Sequence, residues 1–344
     1  MKAMVLRAAN TPFVLEDVPD PTPGPGEAVA RVLACGSGLT IQHVKAGRMK
    51  VEFPRIIGHE IAAEIVEIGS HVTNLAVGDA VTSYYYLTCG YCRWCRSNRE
   101  TLCENLAGNV GREVDGGYAE YIKLPASTFL KLPEGLDYKT HPAHVGVVMD
   151  AIATPYKVLR RARVAPTDTV AVFGAGGGVG IHMVMMANWA HAKVIAVDIA
   201  ADKFDACRDA GAAETVNPKD GDAAAQIMEL TDGRGVDVAI DFVSSRATLE
   251  AAAGALGRGG RLVTLGGAGQ DFTASAHAML FYEQDLLGSK YCTKQEVSDA
   301  LEIVARGEVW PIVTEIRPLE EAEAVHELVE RGAVTGRAAL LIAS

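Results

Sequence analysis

The alternation of apolar and polar positions changes along the chain and predicts two kinds of structure. Up to about residue 150, short apolar segments such as "EIAAEIVEIG" and "YAEYIKLP" are separated by proline and glycine, which is typical of a compact β-rich barrel. From Thr169 the apolar segments "VAVFG", "KVIAVD", "VDVAIDFV" and "GRLVTLG" are separated by alanine-rich helical stretches. Strands that alternate with helices in this way predict βαβ units with a parallel sheet.

Helical periodicity marks the ends of the second region. The segment "VVMDAIATPYKVLRRARV" has the texture of a helix and precedes the parallel-sheet region. Two amphipathic segments, "KQEVSDALEIVARGEV" and "LEEAEAVHELVERGAV", follow that region and lead into a last strand, "GRAALLIA". We therefore predict an α/β protein whose domains are joined by helices rather than by a flexible linker.

Length, charge and hydropathy narrow the class of protein. At 344 residues the chain exceeds the size at which a single core usually stops growing, so two domains are expected. The formal net charge is -11 without a block of like charges, which argues against a nucleic acid or an anionic membrane as the main partner. Because we find neither a signal-peptide pattern nor an apolar run of about 18 residues, we expect a cytoplasmic protein.

A glycine-rich turn predicts a dinucleotide-binding site. In "VAVFGAGGGVGIHMVMMANW" an apolar strand leads into Gly174, Gly177 and Gly180 and then into a helix. Such a turn lets the backbone approach a pyrophosphate, and the helix N-terminus offers N–H groups and the positive end of its dipole. We also assign the neighbouring Gly178 and Val179 to cofactor binding.

A carboxylate after the next strand indicates which dinucleotide binds. The segment "KVIAVD" ends in Asp198, 21 residues after Gly177. A carboxylate at this place accepts hydrogen bonds from both ribose hydroxyls of NAD and repels the 2′-phosphate of NADP. We therefore predict NAD as the cofactor, with Lys203 as a further contact to the adenosine ribose. A structural glycine turn without a ligand is the alternative.

Four of the seven cysteines lie within fifteen residues and predict a metal site. The segment "CGYCRWCRSNRETLC" spaces them as C-x2-C-x2-C-x7-C, with the ligands Cys89, Cys92, Cys95 and Cys103. Four thiolates at such spacing can close a tetrahedron around Zn²⁺ without an open position, which defines a structural site. A [4Fe–4S] cluster uses the same ligands and is the alternative. We predict structural zinc in a lobe of about residues 86–105.

The order of these motifs resembles that of the zinc-containing medium-chain alcohol dehydrogenases. A β-rich first region, the triplet Gly58-His59-Glu60, the four-cysteine lobe, "VDGGYAEY", the glycine turn and "GRAALLIA" follow one another over essentially the whole chain. The resemblance implies a GroES-like β-barrel catalytic domain formed by residues 1–150 and 290–344. It also implies a Rossmann domain with a doubly wound parallel sheet in residues 151–289, and a homotetramer or homodimer.

The same resemblance implies a second, catalytic zinc site that lacks one ligand. His59 and Glu60 match the family's Gly-His-Glu motif, and Asp150 stands where the family has its third ligand. The family's cysteine ligand is missing, and Gly38 takes its place in "ACGSGLTIQH". The remaining nitrogen and two carboxylates resemble the ligand sets of three-ligand catalytic zinc sites.

Other site residues follow from the same resemblance. Thr40 stands where the family has a hydroxyl that touches the substrate oxygen, and His43 where a histidine passes the proton to solvent. The positions that correspond to the family's cofactor contacts are Thr154 at the nicotinamide, Val243 and Leu265 at strand ends, and Arg337 at the pyrophosphate.

These features predict an NAD-dependent alcohol dehydrogenase that interconverts a secondary, cyclic, allylic or aromatic alcohol and its ketone or aldehyde. Tyr84, Tyr86 and Phe53 are expected to give the substrate pocket an aromatic lining. Because the thiolate ligand is missing, a zinc-free NAD(P)H-dependent reductase of an activated C=C bond is the main alternative. A non-catalytic NAD-binding protein is a further one.

Overall fold

A computed structural model describes residues 1–266 and 269–342 and divides the chain into two units. The first unit consists of Met1–Ala153 and Cys292–Ser344, and the second of Thr154–Tyr291. The sequence analysis places the corresponding domain boundaries at residues 150/151 and 289/290.

The described residues form short strands and helices, most of them within the segments expected from the sequence. The strands are β1 (Lys2–Leu6), β2 (Phe13–Asp17), β3 (Glu27–Ser37), β4 (Arg55–Ile56), β5 (Glu60–Ile68), β6 (Ala80–Ser83), β7 (Tyr86–Leu87), β8 (Gly108–Asn109), β9 (Tyr121–Pro125), β10 (Phe129–Lys131), β11 (Thr169–Phe173), β12 (Lys193–Val197), β13 (Glu214–Val216), β14 (Val236–Asp241), β15 (Leu256–Thr264), β16 (Asp285–Gly288), β17 (Val313–Pro318) and β18 (Arg337–Leu341). The helices are α1 (Leu39–Lys45), α2 (Arg93–Arg96), α3 (Pro142–Ala151), α4 (Ala153–Ala162), α5 (Gly180–Trp189), α6 (Phe204–Asp209), α7 (Ala223–Leu230), α8 (Arg246–Gly254), α9 (Ala276–Phe281), α10 (Lys294–Ala305) and α11 (Ala322–Glu330).

The largest sheet of the first unit joins both ends of the chain. Its strand order is β10-β6-β5-β3-β18-β17, and β9 also pairs with β3. The long strand β3 lies between β5 and β18, and it is antiparallel to both. The strand β18 has four consecutive buried residues, Arg337 and the first three residues of the apolar run "AALL". This pairing explains why the last fifty residues belong to the same unit as the first 153.

The core of the first unit consists mainly of aliphatic side chains between the sheets. Strands β1, β3 and β5 contribute Leu6, Val32 and Ile61, all buried. Helix α3 packs on β5 and β3, and its apolar residues are buried on nearly all sides. A helix that is enclosed in this way can carry a polar side chain into the interior only if a partner is present there.

The second unit is a doubly wound α/β domain. Its six strands are all parallel, in the order β13-β12-β11-β14-β15-β16. This order reverses direction at β11, where doubly wound sheets bind their ligands at the carboxyl ends of the strands. The strands β11 and β12 are apolar and buried after their first residue, and β14 is apolar except for Asp237 and Asp241, as is typical of strands covered on both faces.

Beyond Thr169, the sequence analysis did not identify three strands, β13, β16 and β17. They are short or carry polar residues, as in "ETV", "DLLG" and "VTEIRP", and their side chains are only partly buried. Their backbones are strands because neighbouring strands pair with them, not because of an apolar pattern. Among the described residues, no helix combines the length and the apolar character that a bilayer span requires.

Candidate active site

The glycine turn of the second unit lies at the carboxyl end of β11. Gly174 has φ +76, a backbone conformation that side-chain-bearing residues rarely adopt. A Cβ on Gly180 would lie 2.0 Å from the carbonyl oxygen of Gly174, so only glycine lets helix α5 begin so close to the turn. Gly177, Gly178 and Val179 connect the two. The turn therefore offers the backbone approach and the helix N-terminus that a dinucleotide pyrophosphate requires.

Asp198 is fixed beside this turn by two backbone hydrogen bonds. Its Oδ2 accepts from the N–H of Gly176 at 2.8 Å, and its Oδ1 accepts from the N–H of Ala200 at 2.9 Å. The buried Lys203 packs its alkyl chain against the same turn, where a Cβ on Gly176 would lie 2.6 Å from its Cδ. The carboxylate thus stands at the end of β12, at the place from which it can select against a 2′-phosphate.

The remaining cofactor candidates of the second unit occupy comparable positions. Val243 and Leu265 follow the adjacent strands β14 and β15, and both backbone N–H groups donate to Asp241, at 2.7 and 3.2 Å. Val243 is exposed, whereas Thr154 is buried at the start of the unit. Their contacts to a cofactor remain predictions.

The four-cysteine lobe brings its sulfur atoms together as a metal site requires. The ligand atoms of Cys89, Cys92, Cys95 and Cys103 all lie within 4.8 Å of one another. The Cys95 sulfur lies 3.5 Å from that of Cys92 and 3.9 Å from that of Cys89. Tetrahedral zinc with Zn–S bonds of about 2.3 Å separates its ligand sulfurs by about 3.8 Å, so the observed separations fit zinc.

Backbone amides around the lobe favour the thiolate form. The N–H groups of Cys89 and Cys92 point at the sulfurs of Cys103 and Cys89, each at 3.4 Å. Hydrogen bonds from the backbone of Cys95 and Glu104 lower the pKa of Cys92 to about 6. Because the thiolate is the metal ligand, these hydrogen bonds prepare Cys92 for zinc before the ion binds, whereas desolvation raises the pKa of Cys95 to about 12.

A second group of metal-ligating side chains lies in the interior of the first unit. His59 immediately precedes β5, Glu60 begins it, and Asp150 lies near the end of α3. All three are buried, and one ligand atom from each lies within 4.8 Å of the others. One nitrogen and two carboxylates at this separation form a donor set that fits a three-ligand zinc site. The residues that the sequence analysis assigned to this site are thus brought together.

Arg337 enters the same group of side chains. It begins β18 and is buried, and its Nη2 donates to Oδ2 of Asp150 and lies 3.3 Å from Oε1 of Glu60. The sequence analysis placed Arg337 at the cofactor pyrophosphate, and that contact remains a prediction. The interaction of this guanidinium with the two carboxylates was not foreseen.

Burial and these charges shift the pKa values of both residues in the His59-Glu60 pair. Burial lowers the pKa of His59 to about 4, while Asp150 opposes the shift and Arg337 adds to it. Burial raises the pKa of Glu60 to about 8, against the effect of Arg337. His59 is therefore neutral near pH 7, the form in which a histidine binds metal, whereas Glu60 must lose a proton to do so.

Gly38 lies directly against this group. It is buried at the start of α1 in extended backbone, with φ -123 and ψ -179. A Cβ built on it would lie 2.2 Å from Nη1 of Arg337 and 3.2 Å from Oε1 of Glu60. The residue at position 38 thus faces the site, and the guanidinium of Arg337 occupies the room that a side chain there would need.

Helix α1 carries the two residues of the predicted proton relay. Thr40 is half-buried, and His43 follows it by three residues, so the two side chains lie on one face of the helix. Nδ1 of His43 lies 2.9 Å from Nη1 of Arg48, which places its lone pair opposite a donor. Burial, and then the charge of Arg48, lowers the pKa of His43. The relay itself remains a prediction.

Aromatic residues surround His59. The ring of Tyr85 lies 4.5 Å from the imidazole centroid and contacts Tyr86 edge-on at 4.8 Å. The sequence analysis named Tyr84 and Tyr86 as pocket residues but not Tyr85. Tyr84 is fully buried and donates its hydroxyl to the carbonyl of Cys292 at 2.9 Å, so we reassign it to the core of the first unit.

A buried histidine anchors α1 and the loop before it. In the tautomer that satisfies its partners, His326 donates from Nδ1 to Oε1 of Gln42 at 2.6 Å. Its Nε2 accepts from the hydroxyls of Tyr118 at 3.0 Å and Ser37 at 3.3 Å. Because Ser37 precedes Gly38 and Gln42 follows Thr40, this network fixes the segment that faces the site.

Acid should weaken this network and the fold with it. Burial lowers the pKa of His326 to about 3, from an ordinary value of 6.5. Between these values the unfolded chain binds the proton and the folded chain does not, so the stability that the neutral ring contributes falls as pH drops below about 6.5. We expect a loss of about 1.4 kcal/mol per pH unit from this residue. The free energy of unfolding is measured in urea at about pH 7 and about pH 5. Its fall between these pH values should be smaller for His326→Gln than for wild type, and as large as in wild type for the exposed control His71→Gln. Equal pH effects in wild type and His326→Gln would contradict this account.

Comparison with known proteins covers both units. Residues 24–134 match the family described as "Alcohol dehydrogenase GroES-like domain", and residues 178–306 match "Zinc-binding dehydrogenase". An alcohol dehydrogenase of Geobacillus stearothermophilus is 34% identical over 345 residues, which cover 99% of this chain and 100% of the relative. The structure of the alcohol dehydrogenase of Aeropyrum pernix superposes with a TM-score of 0.88 at 32% identity, covering 99% of this chain and 100% of that one. The acetophenone reductase of Geotrichum candidum in complex with NAD gives a TM-score of 0.85 at 26% identity, covering 99% and 96%.

Proposed function

Because this chain belongs to the zinc-binding alcohol dehydrogenase family, we propose that it interconverts secondary, cyclic, allylic or aromatic alcohols and the corresponding ketones or aldehydes. As a member of that family it is an NAD-dependent oxidoreductase that acts on alcohols. The proposal concerns the class of alcohol, the residues that act on it and the second metal ion.

The proposal rests on the convergence of His59, Glu60 and Asp150 in the interior of the first unit. These three residues would hold the catalytic zinc through one nitrogen and two carboxylates. Bound there, zinc would supply the Lewis acidity that lowers the pKa of a substrate alcohol. The two carboxylates make the ligand set harder than one that contains a thiolate, so the affinity for zinc should be lower.

Thr40 and His43 would remove the proton that the alcohol loses. The hydroxyl of Thr40 can accept a hydrogen bond from the substrate and donate one onward, which is the property that a relay requires. Burial, and then the charge of Arg48, lowers the pKa of His43 below its ordinary value. The hydride would be accepted by NAD, held at the glycine turn of Gly174 and Gly180 and at Asp198.

Replacing Asp198 with asparagine should change the choice of cofactor. Asparagine keeps an oxygen that can accept from the N–H of Ala200 but removes the charge that repels a 2′-phosphate. We expect the ratio of kcat/KM with NAD to that with NADP to fall by about 10-fold or more. The control is Asp202→Asn, which removes an exposed carboxylate nearby. An unchanged ratio in Asp198→Asn would place the selection of NAD elsewhere.

Aromatic and secondary alcohols are the substrate class that the surroundings of the site favour. The ring of Tyr85 lies beside His59, and the ring of Tyr86 packs edge-on against that of Tyr85. Aromatic rings pack on flat or cyclic groups better than on the hydroxyls of a polyol. The acetophenone reductase among the similar structures is named for an aromatic ketone, and we extend that substrate class to this chain as part of the proposal.

One observation favours the alternative function, reduction of an activated C=C bond without zinc. Arg337 already provides a cation between Glu60 and Asp150. A guanidinium in that place supplies positive charge to the two carboxylates without a metal ion, and it donates a hydrogen bond to Asp150, whereas neither oxygen of Glu60 has a hydrogen-bond partner among the described residues. Thr40 and His43 would then have to serve a reaction in which an enolate rather than an alkoxide forms.

Two measurements on the purified enzyme separate these functions. Elemental analysis should give two zinc ions per chain for the alcohol dehydrogenase, and one for the zinc-free enzyme. NADH formation from a panel of secondary, cyclic, allylic and benzylic alcohols is compared with NADH oxidation by enones. Turnover of enones without turnover of any alcohol would refute the proposed function.

We also propose a homotetramer or homodimer in the cytoplasm. In the second unit the edge strand β16 follows helix α9, whose residues Leu280 and Phe281 are 71% and 60% exposed. An edge strand beside large exposed apolar side chains is a common basis for contact with a second copy. None of the seven cysteines, all in the described part of the chain, forms a disulfide, and the reducing cytoplasm would keep them in that state.

A further inference from the structure

The backbone register of three strands brings Arg337 to Gly38. Strand β18 pairs with β3 so that Ala338 lies opposite Ser37 and Ala339 opposite Gly36. One step further in this antiparallel register places Arg337 opposite Gly38. On the other side of β3, Glu60 of β5 lies opposite Gly36. The position of the guanidinium next to Glu60 is therefore fixed by sheet pairing as well as by charge.

We propose that Arg337 is the resident cation of the His59-Glu60-Asp150 site, seated in the room that Gly38 leaves, and that it competes directly with a divalent metal ion for the two carboxylates. The inference deepens the proposed function and rests on its metal site. Metal binding by this chain then requires the guanidinium to withdraw from Glu60 and Asp150. The affinity for metal is set by residues 337 and 38 as much as by the ligands themselves.

Charge balance supports the competition. The two carboxylates together carry the charge that one divalent ion neutralises, and a guanidinium neutralises one of them. A guanidinium and a zinc ion together would leave excess positive charge among buried side chains. Because the Coulomb interaction between such charges is strong in the protein interior, the two cations should exclude each other.

Gly38 provides the space that the guanidinium of Arg337 occupies. Any side chain at this position would place its Cβ 2.2 Å from Nη1 of Arg337, closer than two non-bonded atoms can approach. The backbone of residue 38 is extended, so alanine meets no conformational penalty there. The absence of a side chain at position 38 thus leaves the room in which Arg337 competes with the metal.

The test measures metal binding in the absence of substrate and cofactor. Enzyme that retains zinc in the four-cysteine lobe is titrated with Zn²⁺ against a chromophoric chelator, and the affinity of the second site is determined. Arg337→Met removes the charge and keeps much of the side-chain length, and should bind the second zinc about 100-fold more tightly than wild type. Gly38→Ala keeps the arginine but displaces it, and should tighten binding about 10-fold.

The double variant provides a sharper criterion. If both substitutions act by removing the same competitor, Gly38→Ala should add less than about 3-fold to the effect of Arg337→Met. Arg55→Met serves as the control, because Arg55 also pairs with a carboxylate in the first unit, at 3.0 Å from Asp115. Gly288→Ala is the control for the added methyl group, since a Cβ there would meet nothing within 4 Å. Both controls should leave the affinity unchanged.

Several outcomes would overturn the inference. Equal zinc affinity in wild type and Arg337→Met, or no second zinc in either, would show that the arginine does not compete. Tighter binding in Arg337→Met but not in Gly38→Ala would remove the role assigned to Gly38. If Arg337→Met fails to fold, Gly38→Ala carries the test, because it retains the ion pair partner. Zinc affinities that follow the prediction, combined with an absence of alcohol turnover, would refute the proposed function and leave this inference standing.

Discussion

Replacing His59 with glutamine should lower kcat/KM for alcohol oxidation about 1,000-fold, which corresponds to about 4 kcal/mol of lost transition-state stabilisation. His59 is the only nitrogen donor of the set that also contains Glu60 and Asp150. Glutamine keeps much of the buried volume beside Tyr85 but gives up the imidazole nitrogens. The two remaining carboxylates would then hold the guanidinium of Arg337 rather than a metal ion.

Steady-state kinetics and a zinc count on the same preparation check this prediction. The count should fall from two zinc ions per chain to one, because the four-cysteine lobe is unaffected. The matched control is His144→Gln, on the same helix α3 as Asp150, where the imidazole stacks on Trp310 instead of facing the ligand set. The control should retain at least half of the activity. Full activity in His59→Gln, with its Tm preserved, would refute a metal-dependent reaction at this site.

Sequence patterns predicted the strands that are covered on both faces of the sheet. The strands β11, β12 and β14 are covered on both faces, so their apolar runs were visible without any knowledge of their neighbours. The edge strand β16 and the short strand β13 obtain their backbone partners from the rest of the sheet. Since nothing in a stretch of three or four residues encodes such a partner, these strands could not be identified locally.

The metal ligands of the candidate site could be predicted from sequence motifs, but the position of Arg337 could not. His59, Glu60 and Asp150 were all assigned by resemblance to a family, the first two from a single motif, and the structure brings the three together. The position of Arg337 is different, because it depends on the pairing of β18 with β3 and on a side chain that Gly38 does not have. A residue that fills space left by another residue 299 positions earlier leaves no signal in either segment.

The same reasoning explains why the sequence analysis named Tyr84 and Tyr86 as pocket residues but not Tyr85. Three consecutive tyrosines have equal hydropathy, and only the strand phase decides which ring points towards His59. β6 ends at Ser83 and β7 begins at Tyr86, so the phase changes within the run itself. The alternation of inward and outward side chains in either strand therefore could not be extended through the three tyrosines.

The four-cysteine lobe gives the second large effect, this time on stability. Cys95 lies on α2, and its sulfur is close to those of both Cys92 and Cys89. Serine in its place removes one of four ligands from a closed site, and a structural zinc contributes its binding free energy to folding. A loss of several kcal/mol corresponds to a fall in Tm of about 10 °C for a domain of this size. We expect that fall for Cys95→Ser, together with the loss of one zinc ion per chain.

Calorimetry, elemental analysis and limited proteolysis test this expectation together. The lobe contains only short elements, so without its metal it should become the first site of cleavage, between residues 89 and 103. The control Cys207→Ser alters a buried thiol of the second unit and should leave the zinc count unchanged. Iron in place of zinc, with the visible absorption of an iron–sulfur cluster, would overturn the assignment of the metal. Retention of the zinc and of the Tm by Cys95→Ser would instead show that Cys95 is not a ligand.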